Sequence, residues 1–87
     1  MDLTKLKEGN LIGLKGDTYT VVRAEKDFLL KKGGSKTREL LKIFLVKNNE
    51  EKLSPTHLIK HFLDNGDTYL ETGSSEKINL KDIEEKL

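Results

Sequence analysis

Eighty-seven residues with no cysteine, a single proline and a formal net charge of +1 bound the possibilities. The length allows one small core in one domain, 1–87, and leaves little apolar surface for a deep substrate pocket. The absence of cysteine excludes a disulfide framework and a thiolate metal site, and no apolar run reaches the 18 residues that span a bilayer. Met1-Asp2-Leu3-Thr4-Lys5 lacks the charged-then-apolar order of a signal peptide, so a cytoplasmic location is expected.

In chain order, residues 3–8 read as a polar lead-in. Asn10-Leu11-Ile12-Gly13-Leu14 and Thr18-Tyr19-Thr20-Val21-Val22 read as two strands, rich in β-branched and aromatic residues. Lys15-Gly16-Asp17 lies between them, and Gly-Asp at a two-residue connection is a hairpin signal. Ile12 and Leu14 share one face, as do Tyr19 and Val21. Arg23-Ala24-Glu25-Lys26-Asp27 then leads into a charged turn, and Phe28-Leu29-Leu30-Lys31-Lys32-Gly33-Gly34-Ser35-Lys36-Thr37-Arg38 follows. Its paired glycines permit positive φ and close backbone approach, with lysines on both sides: an exposed cationic loop between two strands.

The run Glu39–Val46 fits either period. A strand sets Leu41, Ile43 and Leu45 on one face; a helix stacks Leu40, Leu41, Phe44 and Leu45. Short apolar runs are not separated by period alone, and the neighbouring hairpin with the Asn48-Asn49 turn favours a strand. Ser54-Pro55 opens a predicted helix over 55–64, with serine as N-cap and proline at the first helical position. Leu58, Ile59, Phe62 and Leu63 form its stripe, and Asn65-Gly66 its stop. Asp67–Thr72 reads as a strand, Gly73-Ser74-Ser75 as a turn, and 76–79 as a short strand. Asn79 then caps a C-terminal helical turn with Leu80, Ile83 and Leu87 inward. The expected fold class is α+β: a small, SH3-like, partly open β-barrel or curved antiparallel sheet of about five strands, one helix, and a short C-terminal helical turn.

Charge is unevenly distributed. Residues 1–47 hold 11 basic and 6 acidic side chains, residues 48–87 hold 5 and 9, and fourteen of the sixteen cations are lysine. Lysine suits point contact with phosphate better than bidentate base reading. The candidate nucleic-acid-binding set is Lys31, Lys32, Gly33, Gly34, Lys36, Arg38 and Lys42, with Arg23 and Lys26 on the preceding segment. The competing reading of the same set is a hairpin tip kept soluble and free of edge aggregation by its charges.

No catalytic constellation emerges. His57 and His61 stand four apart, a metal-pair spacing on a helix, but no glutamate follows the first histidine as in the zinc-protease pattern; solvated surface histidines are the expectation. Ser74-Ser75-Glu76 matches no nucleophile motif. Asp64, Asp67 and Glu71 lack calcium-loop spacing, and Lys31–Ser35 lacks the full phosphate-loop spacing. No enzyme activity, cofactor or metal is expected.

Residues 7–42 resemble the N-terminal SH3-like domain of translation elongation factor P and initiation factor 5A. The matching positions are Gly9, Ile12, Gly16-Asp17-Thr18-Tyr19-Thr20-Val21-Val22, Lys32-Gly33-Gly34-Ser35, Arg38 and Leu41-Lys42. The resemblance implies a ribosome-directed loop whose modified lysine corresponds to Lys32, with Lys31 as its neighbour. Leu30 and Lys31 stand where that family has proline and glycine. The expected function is a non-enzymatic module binding RNA or the ribosome through the loop. The alternative is a protein-interaction or regulatory module, favoured by the near-zero net charge; a metal-dependent enzyme using His57 and His61 comes third. No membrane partner is expected.

Overall fold

The structure, a computed structural model, describes residues 2–30, 37–48 and 55–86. Seven strands form one sheet: β1 (Leu11–Leu14), β2 (Asp17–Leu30), β3 (Thr37–Lys47), β4 (His57–Phe62), β5 (Thr68–Glu71), β6 (Ser75–Ile78) and β7 (Ile83–Lys86). Their order is β6-β5-β4-β3-β2-β1-β7, with every neighbouring pair antiparallel. Six strands follow one another as a meander. The seventh returns beside β1, and the sheet curls into a half-barrel.

The curl gathers one face of the sheet into a core. Ile12 and Leu14 of β1, Tyr19 and Val21 of β2, Ile43 and Leu45 of β3, and Ile59, Leu70, Ile78 and Ile83 from the remaining strands are buried in one cluster. The register explains the arrangement, because directly paired residues share a face. Ile43 lies between Ala24 and Ile59, Ile59 between Ile43 and Leu70, and Leu14 opposite Ile83. The expected polar lead-in adds to this cluster. Leu3, in a 3₁₀ turn over Leu3–Lys5, and Leu6 just after it are both buried there.

The β1–β2 hairpin forms, but its two-residue loop is Lys15-Gly16 rather than Gly16-Asp17, because Asp17 already pairs with Leu14 as the first residue of β2. Both loop residues have positive φ, +53° and +83°, as a type I′ turn requires. The charged turn at Arg23–Asp27 does not form; β2 continues to Leu30. A bulge at Val22 keeps that continuation in register with the core. Ahead of it the odd-numbered Tyr19 and Val21 face inward. Beyond it the even-numbered Ala24 does, and Arg23, Glu25 and Asp27 turn to the outer face.

The predicted helix over 55–64 is overturned, and with it the α+β class: among the described residues no helix reaches seven residues. His57–Phe62 is instead a strand between β3 and β5. Ile59 faces the core, while Leu58 and Phe62 face the other way, where Phe62 packs edge-on to Tyr69 with ring centroids 6.0 Å apart. A strand with apolar residues on both faces mimics a 3.6 period. Pro55 lies just before the strand, where it costs no ladder hydrogen bond. Asn65-Gly66 serves the β4–β5 turn, with Gly66 at φ +79° and its amide donating to Phe62 O at 2.9 Å. The C-terminal helical turn shrinks to a 3₁₀ turn, Leu80–Asp82, and Ile83 is buried as a residue of β7. Leu87 lies outside the described residues.

Candidate functional site

Strand lengths define the site. β2 has 14 residues and β3 has 11, but β1 accompanies β2 only over Asp17–Thr20, and β4 accompanies β3 only over Leu40–Leu45. The end of the β2–β3 hairpin is therefore a two-stranded ribbon, with Phe28 paired to Glu39, Leu29 to Arg38 and Leu30 to Thr37. Phe28, Leu29 and Leu30 are 53%, 45% and 82% exposed, the only exposed large apolar side chains among the described residues.

Of the expected binding set, Lys31, Lys32, Gly33, Gly34 and Lys36 lie outside the described residues. Arg38 and Lys42 share the outer face, four residues and about 13 Å apart along β3. Each is engaged by a carboxylate. The Arg38 guanidinium donates from Nε to Asp64 Oδ2 at 2.9 Å and from Nη2 to Asp64 Oδ1 at 3.1 Å, and lies 4.1 Å from the centre of the Phe62 ring. This forked contact holds the Asp64 carboxyl below the usual carboxylate range and raises the guanidinium. Lys42 Nζ is 2.6 Å from Asp27 Oδ2. That bond, with the Phe28 amide donating to Oδ1 at 2.8 Å, lowers the Asp27 carboxyl.

Arg23 stacks 4.2 Å from the centre of the Phe44 ring and faces Glu25 at 3.6 Å. Lys26 pairs with Leu41 and so belongs to the opposite face. The structure thus brings Arg23, Arg38 and Lys42 to one face, already interlaced with acids, and sets Lys26 apart from them. At the bulge, an open groove of about 480 Å³ is lined by Glu8, Val22, Arg23, Phe44 and Pro55. It offers one carboxylate beside one guanidinium, and otherwise mostly carbon.

The histidines change meaning with the helix. Four residues apart on a strand, His57 and His61 are separated by about 13 Å and cannot chelate one ion together. His57 Nδ1 sits 2.7 Å from Thr56 Oγ1, and its ring meets Tyr19 edge-on at 4.8 Å. His61 Nδ1 sits 2.8 Å from the buried Thr68 hydroxyl, and desolvation lowers its pKa. Among the described residues no group of three histidine or carboxylate side chains could hold a metal ion. Asp64, Asp67 and Glu71 each face a cation: Arg38, Lys77 and Lys60 respectively.

The apolar trio was visible in the sequence only as a flank of the basic loop. Its signal is the lack of alternation: three consecutive large apolar residues in a strand cannot all face one core. No protein-family model, curated protein or solved structure matches this chain.

Proposed function

We propose that this chain is a non-enzymatic docking module that engages its partner through the tip of the β2–β3 ribbon. The observation that carries this reading is the contiguous exposure of Phe28, Leu29 and Leu30. Scattered apolar side chains on a surface are ordinary, but a contiguous group marks a contact site. A photo-crosslinking residue at Leu30, compared with one at the exposed Lys81 by the far edge of the sheet, tests it. Adducts formed in cells from position 30 alone are expected. Equal labelling from both positions would remove the reading.

RNA or the ribosome, the first expectation from the sequence, becomes the second reading, supported by the three lysines and no acid between Leu30 and Thr37 and by the resemblance to elongation factor P. The described cations add little to it, since Arg23, Arg38 and Lys42 already face carboxylates. Its test is a salt titration of binding to a mixed RNA pool, with Lys31, Lys32 and Lys36 replaced by alanine in the variant. Phosphate contact by these lysines predicts steep salt dependence that flattens by about 2 in log–log slope for single strands. No binding at low salt would retire RNA. A protein partner is the remaining alternative, and the apolar trio is the feature it would use.

A further inference from the structure

The alternation of an antiparallel ladder fixes which backbone groups of β2 are left over. Glu39 O accepts from Leu63 N at 3.0 Å and Leu45 O from Thr56 N at 2.9 Å, so the odd-numbered residues of β3 turn their backbones toward β4. The even-numbered ones, Arg38, Leu40, Lys42 and Phe44, turn theirs toward β2, where they pair with Leu29, Asp27, Glu25 and Arg23. The N–H and C=O groups of Ala24, Lys26, Phe28 and Leu30 therefore point away from β3. β1 does not reach them. Its side of the ladder ends at Val21, whose amide donates to Asn10 O at 2.8 Å. Among the described residues the edge of β2 over 24–30 has no neighbouring strand, and every side chain on it except Asp27 is exposed.

That edge is about 20 Å long, whereas the two outermost strands, β6 and β7, have four residues each. Short edges and charged edges resist pairing with stray strands. The β2 edge is long, and its charges stand in one half only: Glu25, Lys26 and Asp27, followed by Phe28, Leu29 and Leu30. A row of unpaired backbone donors and acceptors at two-residue spacing is matched by another extended backbone. Side chains then decide which strand is accepted. An added antiparallel strand sets each residue directly opposite one of β2, on the same face. The complementary strand has an acid opposite Lys26, a base opposite Glu25 and apolar residues opposite Phe28 and Leu30. Asp27 is already held by Lys42. A second copy of β2 does not meet this pattern. Centred on Glu25, Lys26 or Asp27, an antiparallel copy sets that charge against itself, and the Lys26-centred register also opposes Glu25 to Asp27 twice. A copy centred on Ala24 runs into the bonds that Val21 makes with Asn10 and Gly9. One centred on Phe28 escapes both faults but engages only residues 26–30.

We infer that the free edge of β2 over residues 24–30 takes up an extended antiparallel strand of a partner protein, with an acid opposite Lys26 and a base opposite Glu25. The inference rests on the ribbon-tip reading above and gives the partner its chemistry: a strand that continues the line of β1 along β2.

The test is amide hydrogen exchange by NMR on the full chain, with and without the end-blocked peptide Val-Ile-Val-Thr-Glu-Lys-Val. Antiparallel to β2, that peptide runs from opposite Leu30 to opposite Ala24. In the free chain the amides of Ala24, Lys26 and Phe28 should exchange fast and those of Glu25 and Asp27 slowly. Peptide at about ten times its Kd should slow the first set roughly tenfold and leave the second unchanged. Swapping the peptide's Glu-Lys to Lys-Glu keeps its composition and turns both charge pairs repulsive, so affinity should fall about tenfold. Lys26→Pro removes an edge donor without touching the ladder to β3 and should cost at least about tenfold in affinity. Should that variant not fold, the peptide N-methylated opposite Lys26 and Phe28 carries the same expectation on the native chain. Fast-set amides already slow in the free chain would show the edge covered and overturn the inference. So would absence of peptide binding, equal affinity for the swapped peptide, or undiminished affinity after Lys26→Pro or N-methylation. Self-association of the native chain, lost in Lys26→Pro, would assign the edge to a second copy and overturn it too. If the peptide fails while Leu30 crosslinks in cells, the strand assignment falls and the ribbon-tip reading stands. If Leu30 crosslinks no more than Lys81, both fall.

Discussion

Ile43 and Leu29 belong to the same hairpin and the same hydrogen-bonded ladder, yet their surroundings are opposite. Ile43 has Ala24 on one side, Ile59 on the other and a cluster of apolar residues over it, and is 0% exposed. Leu29 is nearly half exposed and pairs only with Arg38. Backbone pairing is thus common to both regions, and the covering layer is what separates them. A paired strand without a covering layer keeps its geometry but gains little from apolar burial, the dominant favourable term in folding. The body should therefore carry the stability, and the ribbon tip should carry apolar surface still free for a partner.

The largest expected effect is in the body. Ile43→Ala should cost about 2–5 kcal/mol, read as a fall in the urea midpoint, because the neighbours of a fully buried isoleucine relax only partly into the space left. A loss under about 1 kcal/mol would show that the curled sheet is loosely packed, and the contrast with the tip would fail. Next comes Leu6→Ala, expected to cost about 2 kcal/mol at the lower end of the same range. Leu6 and Leu3 reach the core from outside the sheet, so a near-zero effect would mean that the half-barrel holds without them.

How much of this contrast could be read beforehand depended on distance along the chain. The β1–β2 hairpin was legible to within one residue of its loop because its causes are local: a glycine between two short strands and the alternation of Tyr19 and Val21. β4 was not. Whether Leu58, Ile59, Phe62 and Leu63 are one stripe or two faces depends on β3 and β5, which lie elsewhere in the chain. The bulge at Val22, which turns Arg23, Glu25 and Asp27 outward, likewise follows from pairing with β3. At the site, the basic character of 31–36 was plain from composition. That Arg38 is held by Asp64, 26 residues away, was not, and the exposure of Phe28–Leu30 depends on which strands stop short.

A smaller, pH-dependent effect belongs to the boundary between the two regions. His61 pairs with Leu41 and Thr68 on the core face, and desolvation lowers its pKa from 6.5, opposed by the Asp2 carboxylate. Below 6.5 the unfolded chain takes up the proton before the folded one does, so the unfolded state binds more protons. Stability is then complete above 6.5 and falls as pH drops from there through the lowered folded value. Asp2, Asp27 and Asp64, all lowered from 3.8, act by the same sign only in more acidic solution. Urea midpoints at about pH 7.5 and 5.5 should differ for the native chain and converge in His61→Gln. An unchanged difference in the variant would assign the effect to another group.

The smallest expected effect is the most demanding of the contrast. Phe28→Ser, Leu29→Ser, Leu30→Ser removes three large apolar side chains from one strand, yet the urea midpoint should stay within the roughly 0.5 kcal/mol typical of a surface substitution at each site. The unfolded chain also loses apolar surface in the variant, so a small gain in stability is as acceptable as a small loss. Loss on the scale of Ile43→Ala would mean that the trio is part of the packed body, and its exposure would then say nothing about a partner. Retained stability would separate what holds this fold together from what it presents to its surroundings, within a single hairpin.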